Sequence, residues 1–187
     1  MIYETIIIST DVNNNPHVTP FGVKYEDDLV VISPYKPSKT LTNILATKTA
    51  TMNLTDDVRV FAGALTKRQP WTLLPTNAIE GFRLDNCLAH VELTLIDVRE
   101  DDERPQLLMQ QLESYHYHGF KGFNRAQAAV IELAVLTSRL HFLPPEKIQS
   151  ELRYLQIAID KTAGDREVTA WSWLNEKIKQ YYQENNP

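Results

Sequence analysis

The spacing of apolar residues changes near residue 100, and this change most constrains the fold. Before it, residues alternate between two faces, as in the stretch 87–98, where Val91 and Leu93 oppose His90 and Glu92. Alternation of this kind is typical of β-strands with one buried face. Beyond residue 100, apolar residues recur at the i, i+4, i+7 spacing of helices. We therefore predict an α+β protein, with an antiparallel β domain followed by helices and no βαβ repeat.

The individual elements follow from the same pattern and from the residues that interrupt it. The first half predicts five to seven strands, the clearest of them over residues 5–10, 17–23, 29–32, 49–54 and 87–98. Pro20 restricts its strand to an edge or a bulge. A short helix is predicted over residues 40–47. The second half predicts helices over residues 106–115 and 123–143, one from Pro145 to Gly164, and a last one with Trp171, Leu174, Ile178 and Tyr181 on one face.

Composition excludes several classes of protein. With 24 acidic and 19 basic residues the net charge is −5, which disfavours broad nucleic-acid binding because phosphate contacts need a basic face. Cys87 is the single cysteine, so an internal disulfide is impossible and a reducing cytoplasm is the expected location. The N-terminal apolar run, Ile6–Ile8, is far too short for a signal peptide or a membrane span.

One segment stands out by charge. Residues 29–55 contain no Asp or Glu but carry Lys36, Lys39 and Lys48. Within this segment a predicted strand runs into a predicted helix, with Ser38 or Thr40 as the N-cap. Positive charge, hydroxyls and free helix N–H groups would meet there, which suits a phosphate. The simpler interpretation is a capped surface helix with solvated lysines, since such caps are common.

Four short motifs in order resemble the flavin-binding split-barrel superfamily, which includes flavin reductases and pyridoxamine-phosphate oxidases. The motifs are Glu4–Thr10, Pro16–Val23, Lys39-Thr40-x-x-Asn43-Ile44 and Ala50–Asp57. The stretch from Gly122 through Arg139 resembles a branch of that superfamily described as a domain of unknown function. Each motif alone is weak, but the ordered set is more specific.

The resemblance implies a six-stranded antiparallel split barrel over residues 1–103, followed by a helical extension over residues 104–187. The extension would pack on the barrel and on the interface of a homodimer. FMN would bind near that interface. The residues implied in cofactor binding are Thr19, Pro20, Phe21, Gly22 and Val23, whose backbone amides would line the flavin, then Ser33, Tyr35, Lys39, Thr40 and Asn43 at the phosphate and ribityl chain, and Asn53 at the ring edge. Gly22 would allow close approach of the backbone to the ring.

The reaction follows less directly from the resemblance. The leading hypothesis is an FMN-dependent oxidoreductase acting on an unidentified small molecule. The alternatives are a flavin-binding or carrier protein without catalysis, a split barrel that binds the deazaflavin F420, and an empty barrel whose main task is dimerisation. No residue can be named as the catalytic acid or base. No histidine has a visible partner, and no metal site is expected.

Two further features allow two interpretations each. Arg125, Glu132 and Arg139 recur every seven residues on a predicted apolar helix, which favours a structural ion pair or interface network over a role for Arg125 in the flavin site. Trp71 lies in a proline-containing loop, where its ring could stack on a flavin or pack on the barrel end.

Overall fold

The computed structural model describes residues 1–185 of the chain. The elements, in chain order, are strands β1 (Tyr3–Thr10), β2 (Pro16–Glu26) and β3 (Leu29–Ile32), helix α1 (Lys39–Thr47), strand β4 (Thr49–Leu54), helix α2 (Arg59–Thr66), strands β5 (Leu73–Pro75), β6 (Phe82–Leu84), β7 (Ala89–Arg99) and β8 (Gln106–His116), and helices α3 (Arg125–Ser138), α4 (Pro145–Thr162) and α5 (Asp165–Asn185). The predicted change from strands to helices is present, although it comes after residue 116 rather than near residue 100.

Six strands form a closed antiparallel barrel in the order β1-β2-β3-β8-β7-β4. Its interior is filled by alternate residues of all six strands and by the apolar face of α1, namely Ile7, Val23, Val30, Ile32, Leu41, Ile44, Ala50, Met52, Val91, Leu93, Leu107 and Met109. These side chains supply most of the free energy that stabilises the barrel, at roughly 25 cal/mol per Å² of apolar surface removed from water. The predicted α+β class and the six-stranded antiparallel barrel are confirmed.

The prediction of a helix over residues 106–115 is wrong, because this segment is strand β8. Its residues Leu107 and Met109 face the barrel interior, while β8 pairs with β3 on one side and with β7 on the other. Leu, Met, Gln and Glu all favour helices in isolation. Here the unpaired edges of β3 and β7 provide hydrogen-bond partners along most of the segment, and that tertiary pairing outweighs the local preference.

The outer face of β4 and β7 is covered by the small β5–β6 sheet and by the loop between its strands. Thr51 Oγ1 donates to the Phe82 carbonyl at 2.7 Å, and the Leu84 N–H donates to Asn53 Oδ1 at 2.8 Å. Polar side chains on this face of the barrel are therefore buried and used as attachment points. The predicted alternation along residues 87–98 is present, but its polar side faces this cover rather than solvent.

The chain divides into two compact units. The barrel unit comprises residues 1–55 and 71–120, and the helical unit comprises residues 56–70 together with the chain from residue 121 onward. This division differs from the predicted boundary between residues 103 and 104, because β8 completes the barrel. It also places α2, which the sequence analysis did not predict, with the helices. Asp57 lies just before α2, and its Oδ1 accepts the N–H of Arg59, the first residue of the helix, at 3.1 Å.

The helical unit has its own core. Helices α3, α4 and α5 contribute Leu133, Ile148 and Leu174, each fully buried, and α2 contributes Ala62. Helix α3 begins at the N-cap Asn124, and Pro145 occupies the first position of α4 as predicted. The predicted face of the last helix is confirmed, since Trp171, Leu174 and Ile178 are buried and Tyr181 packs beside them.

Arg125, Glu132 and Arg139 all lie on the exposed side of α3 or just beyond its end. None of them forms an ion pair within residues 1–185. The expected ion pair is therefore not found among the described residues, where the three side chains are exposed; the interface network stays a prediction. Across the described residues, no helix combines the length and the apolar character that crossing a membrane requires.

Replacing Leu133 by Ala should destabilise the helical unit by about 2–5 kcal/mol, because the side chain is fully buried and its removal leaves a cavity. Urea denaturation followed by circular dichroism measures this loss. Glu132→Ala, an exposed change on the neighbouring position of the same helix, is the matched control and should change stability by less than about 0.5 kcal/mol. Equal effects of the two substitutions would contradict the assigned core.

Candidate functional site

Strand β2 has an unpaired edge along most of its length. Residues 16–23 pair with β1, from Thr10↔Pro16 to Tyr3↔Val23. Pairing of β2 with β3 is confined to Lys24–Glu26 against Leu29–Val31 in the described chain. The barrel wall is therefore open beside residues 16–23, and alternate backbone groups there are available to a ligand. Pro20 fits this edge, because proline is tolerated where no ladder hydrogen bond is needed.

All five predicted residues of β2, Thr19–Val23, lie on this open stretch and are half-buried or buried. At Gly22, however, the groups that come close to the backbone belong to this chain itself. A Cβ added at Gly22 would lie 2.8 Å from Ile2 Cγ2 and 3.3 Å from Glu4 Oε1. The space that a side chain at residue 22 would take is therefore occupied at least in part by Ile2 and Glu4.

Helix α1 packs against β1 and against β2, the strand that carries the open edge. Ser38 is the N-cap, and its Oγ accepts the Leu41 N–H at 3.3 Å. The N–H groups of Lys39 and Thr40, in the first turn, have no acceptor within the helix. The first turn contains no acidic residue, and Lys39 forms no ion pair within the part of the chain that the structure describes. This arrangement gives a locally positive helix start.

The charge of Lys39 contributes to the pKa shifts of two residues near the turn between β1 and β2. Burial, and secondly Lys39, lower the pKa of His17 below its ordinary value. The pKa of Asp11 is lowered mainly by hydrogen bonds from Asn15, with a smaller contribution from Lys39. The sequence analysis did not predict this electrostatic influence of Lys39 on His17 and Asp11. The His17 imidazole is half-buried and favours the neutral form, so it can accept or donate a hydrogen bond there.

The segment that joins β3 to α1 is held in place by Arg104, a basic residue between β7 and β8. Arg104 Nε donates to the Ser33 carbonyl at 3.0 Å, and its guanidinium lies 4.7 Å from the centre of the Tyr35 ring. Tyr35 itself is 63% exposed. Arg104, Lys39 and the free N–H groups of α1 thus bring donors and positive charge to one end of the barrel.

Thr40 and Asn43 are more deeply placed than the prediction required. Thr40 is 1% exposed and Asn43 is 3% exposed. Asn43 Nδ2 donates to Ser9 Oγ at 3.1 Å and so ties α1 to β1. In this structure Asn43 positions the helix, and Lys39 is the exposed residue of the three.

Asn53 lies apart from this group, on the covered outer face of β4. Its amide accepts the Leu84 N–H and donates to Thr51 Oγ1 at 2.9 Å and to the Ile6 carbonyl at 3.5 Å. The side chain is fully buried. Of the eleven predicted residues, five lie on the open stretch of β2 and five on α1 or the segment before it, while Asn53 lies at the attachment of β6.

The sequence analysis missed a second polar group, formed by Glu92, His90 and Tyr117 in the barrel unit. Glu92 Oε1 lies 3.2 Å from His90 Nε2, and His90 Nδ1 lies 3.1 Å from the Tyr117 hydroxyl. His90 and Glu92 are fully buried. The sequence signal that could have found this group is the alternation along residues 87–98, which places His90 and Glu92 on the same face of the strand. In the described part of the chain, no cluster of three or more His, Cys, Asp or Glu side chains is arranged to hold a metal ion.

Comparisons with known proteins give one family and several solved structures. Residues 3–118 match the model of the N-terminal domain of DUF447, a family described as proteins of unknown function, and residues 124–176 match the model of its C-terminal domain. No curated protein matches the sequence.

Among solved structures, the chain is similar to an FMN-bound protein of the DUF447 family from Methanosarcina mazei, with a TM-score of 0.81 and 21% identity over 94% of each chain. It is also similar to the 2-nitrobenzoate 2-nitroreductase of Pseudomonas fluorescens, with a TM-score of 0.53 and 17% identity over 61% of this chain and 64% of that one. A split-barrel protein from Shewanella frigidimarina gives a TM-score of 0.56 and 13% identity over 66% of this chain and 74% of that one. These likenesses confirm the split-barrel fold.

The His90–Glu92 pair predicts how stability depends on pH. Burial is the main cause that lowers the pKa of His90. Burial alone would raise the pKa of Glu92, but hydrogen bonds from three backbone N–H groups and from His90 outweigh it and lower that pKa. In both cases the unfolded chain binds more protons than the folded chain. For the histidine this difference appears below pH 6.5, and for the glutamate below pH 4.5, the ordinary pKa values of the two groups. Hence the free energy of unfolding should rise with pH through both windows.

Urea denaturation at a series of pH values measures this dependence. His90→Phe should flatten the rise between about pH 5 and 7, since it removes the buried imidazole. His118→Phe, a change of an exposed histidine, is the matched control and should leave the dependence as it is. An unchanged slope in His90→Phe would contradict the assignment.

Proposed function

Because the chain belongs to the DUF447 family, we propose that it binds FMN and acts as an FMN-dependent oxidoreductase on a small molecule. The observation that carries the proposal is the FMN-bound member of the same family, which aligns over 94% of both chains. The likeness to a nitroreductase and the shared split-barrel fold support redox chemistry as the use of the flavin.

The chemistry of the α1 start fits the phosphate of FMN. Helix α1 offers two first-turn N–H groups without an acceptor in the helix and the ammonium of Lys39, which forms no ion pair within residues 1–185. The hydroxyl-bearing Ser33 and Thr40 lie before and within the first turn of the same helix. Phosphates bind at such helix starts because backbone donors and the helix dipole favour negative charge. Arg104 adds a further positive charge beside Ser33.

The open edge of β2 fits the remainder of the cofactor. Backbone groups of Thr19–Val23 have no β3 partner within the described residues, so they can hydrogen-bond the polar edge of an isoalloxazine ring. Phe21 packs beside the barrel core and presents an apolar surface next to that edge. The proposed cofactor-binding residues are therefore Thr19, Pro20, Phe21, Gly22, Val23, Ser33, Tyr35, Lys39 and Thr40, with Asn43 as a positioning residue.

When bound, FMN would supply hydride or electron transfer, while the protein supplies orientation and electrostatics. The donors at the α1 start would hold the phosphate, and β2 would fix the ring along the barrel wall. Asn53 is reassigned in this proposal, since its amide is occupied by Leu84, Thr51 and Ile6. It would act on the ring indirectly, by holding β6 against β4.

We also propose that the protein is a homodimer. Large apolar side chains are exposed at the start of β1 and near the end of β2, where Ile2, Tyr3 and Tyr25 are 57%, 47% and 43% exposed. Clustered apolar surface of this kind is typical of protein interfaces. Light scattering after size-exclusion chromatography should give twice the mass of one chain, and the mass of a single chain at micromolar concentration would contradict the proposal.

The visible absorption spectrum tests cofactor binding directly. The purified protein is mixed with FMN and desalted, and about one flavin per chain should remain. Reduction of the bound flavin by NADH or NADPH would then support an oxidoreductase, whereas bound flavin that no donor reduces would favour a carrier. A protein that retains no FMN would refute the cofactor, and F420 would be the next compound to test.

Lys39→Ala should weaken FMN binding by about 1–3 kcal/mol, or roughly 5- to 150-fold in Kd, because it removes a charge-assisted contact to the phosphate. Fluorescence titration of FMN measures the change. Lys24→Ala is the matched control, since Lys24 is exposed on the part of β2 that pairs with β3. Equal affinity of Lys39→Ala and the unmodified protein for FMN would place the phosphate elsewhere.

A further inference from the structure

The carboxylate of Glu92 is the most heavily hydrogen-bonded acid in the barrel unit. Its two oxygens accept the backbone N–H groups of Asn77, Ala78 and Ile79 at 2.9, 2.7 and 2.9 Å. Its Oε1 also lies 3.2 Å from His90 Nε2. Three of these partners can act only as donors, so the bonds favour the ionised carboxylate and lower the pKa of Glu92 despite its burial.

An ionised Glu92 fixes the tautomer of His90. A carboxylate can only accept hydrogen bonds, so His90 Nε2 carries the hydrogen. Burial is the main cause that lowers the pKa of His90, so the imidazole is neutral near pH 7 and its Nδ1 is an acceptor. The Tyr117 hydroxyl, 3.1 Å away, must then donate to Nδ1. The three groups form a directed chain in which a phenol faces a base and the base is held by a carboxylate.

Tyr117 is the end of this chain that reaches the surface, since 38% of the residue is exposed while His90 and Glu92 are fully buried. The guanidinium of Arg83 lies 4.4 Å from the centre of the Tyr117 ring. Arg83 is held by the carbonyls of Leu84 and Asp85. A positive charge therefore lies over the partly exposed Tyr117 ring, where it would stabilise an anion bound against that ring.

The remaining titratable neighbours do not compete for the proton. Tyr115 stacks on the His90 ring at 4.9 Å and makes no hydrogen bond through its hydroxyl within the described chain. Cys87 is buried, its thiol donates to the Leu84 carbonyl at 3.2 Å, and burial raises its pKa. Burial also raises the pKa of Tyr117, against the effect of Arg83. The resting state thus pairs a neutral phenol with a neutral imidazole.

We propose that Tyr117, His90 and Glu92 form an acid–base site, in which Tyr117 exchanges protons with a bound ligand that carries a weakly acidic O–H or N–H group. As the Tyr117 oxygen takes the ligand's proton, its own hydroxyl proton moves to His90 Nδ1. The electron pair of the broken O–H or N–H bond stays on the ligand, which becomes an anion beside Arg83. The imidazolium forms an ion pair with Glu92, and the reverse transfer restores the resting state.

The arrangement follows the general logic of a reactive group, an adjacent base and a third group that orients the base. No oxidant or metal is needed for the step, because one proton passes from the ligand to Tyr117 and another passes from Tyr117 to His90. The inference stands on contacts within the barrel unit and goes beyond the proposed function, since it assigns a proton-transfer role whether or not FMN binds. It also supplies the acid–base group that the sequence analysis could not name.

Acetylation by N-acetylimidazole tests the proposal, because the reagent reports how readily each tyrosine hydroxyl gives up its proton. The full-length protein is treated between pH 6 and 9, and the modified tyrosines are quantified by mass spectrometry. Tyr117 should react at least about tenfold faster than in His90→Phe, a substitution that keeps the ring stacking but removes the base. Its rate should level off above the pH at which His90 becomes neutral.

Tyr35 is the internal reference. It is more exposed than Tyr117 and also has a guanidinium over its ring, that of Arg104 at 4.7 Å, but no imidazole contacts its hydroxyl. Its rate should keep rising with pH and should not change in His90→Phe. If Tyr117 reacts no faster in the unmodified protein than in His90→Phe, the base has no effect on the phenol and the proposal is overturned.

A second measurement does not require that His90→Phe folds. Nitrogen-15 NMR of the unmodified protein should show His90 protonated at Nε2 and unprotonated at Nδ1, with an Nδ1 shift that moves in Tyr117→Phe. Tyr115→Phe is the matched control, because Tyr115 contacts the imidazole by stacking alone, and it should leave the Nδ1 shift in place. A hydrogen on Nδ1 in the resting protein would overturn the proposal.

Discussion

The buried carboxylate of Glu92 holds several of the groups that cover the outer face of the barrel. Burying an ionised carboxylate costs several kcal/mol unless its oxygens are fully hydrogen-bonded. Glu92 meets that requirement with the N–H groups of Asn77, Ala78 and Ile79 and with His90. The same bonds hold the loop between β5 and β6 in place and set the tautomer of His90. A single side chain therefore links the cover of the barrel to the polar chain that ends at Tyr117.

A second constraint is the short contact between β2 and β3. The barrel is closed through pairs at Lys24–Glu26, so residues 16–23 keep a free edge. Free strand edges invite pairing with other chains unless they are covered or used. Here α1 packs against β1 and β2 near that edge, and the start of α1 offers positive charge. The opening that weakens the wall is thus the place where a ligand can bind to backbone groups.

The prediction from sequence succeeded where a local pattern carried the information. A β-branched run identified β1, a short apolar run identified β3 and alternation identified β7, while the helical spacing identified α4 and α5, because each of these segments packs side chains into a core. Ser38 and Pro145 occupy the predicted ends of α1 and α4, since caps depend on neighbouring residues. The site residues on β2 and α1 were predicted through motifs, and the structure packs α1 against β1 and β2 but tests none of the residues' roles.

The failures share a physical cause. Strand β8 consists of residues that favour helices, and its hydrogen-bond partners, β3 and β7, are remote in the chain or depend on closure of the barrel. Helix α2 lies between two strands of the barrel unit in sequence but joins the core of the helical unit. The role predicted for Asn53 stays a prediction, and the hydrogen bond of its amide with Leu84, 31 residues away, could not be read from the sequence.

The sequence by itself determined the α+β class, the strands with regular alternation and the charge around Lys39, because these depend on residues close together in the chain. The tertiary structure alone decided the sixth strand, the division into two units and the partners of His90. Those features depend on hydrogen bonds between distant segments and on burial of charge, and neither leaves a local signal. A polar residue on an alternating strand reads as solvent-facing until the segment that covers it, here the β5–β6 loop, is in place.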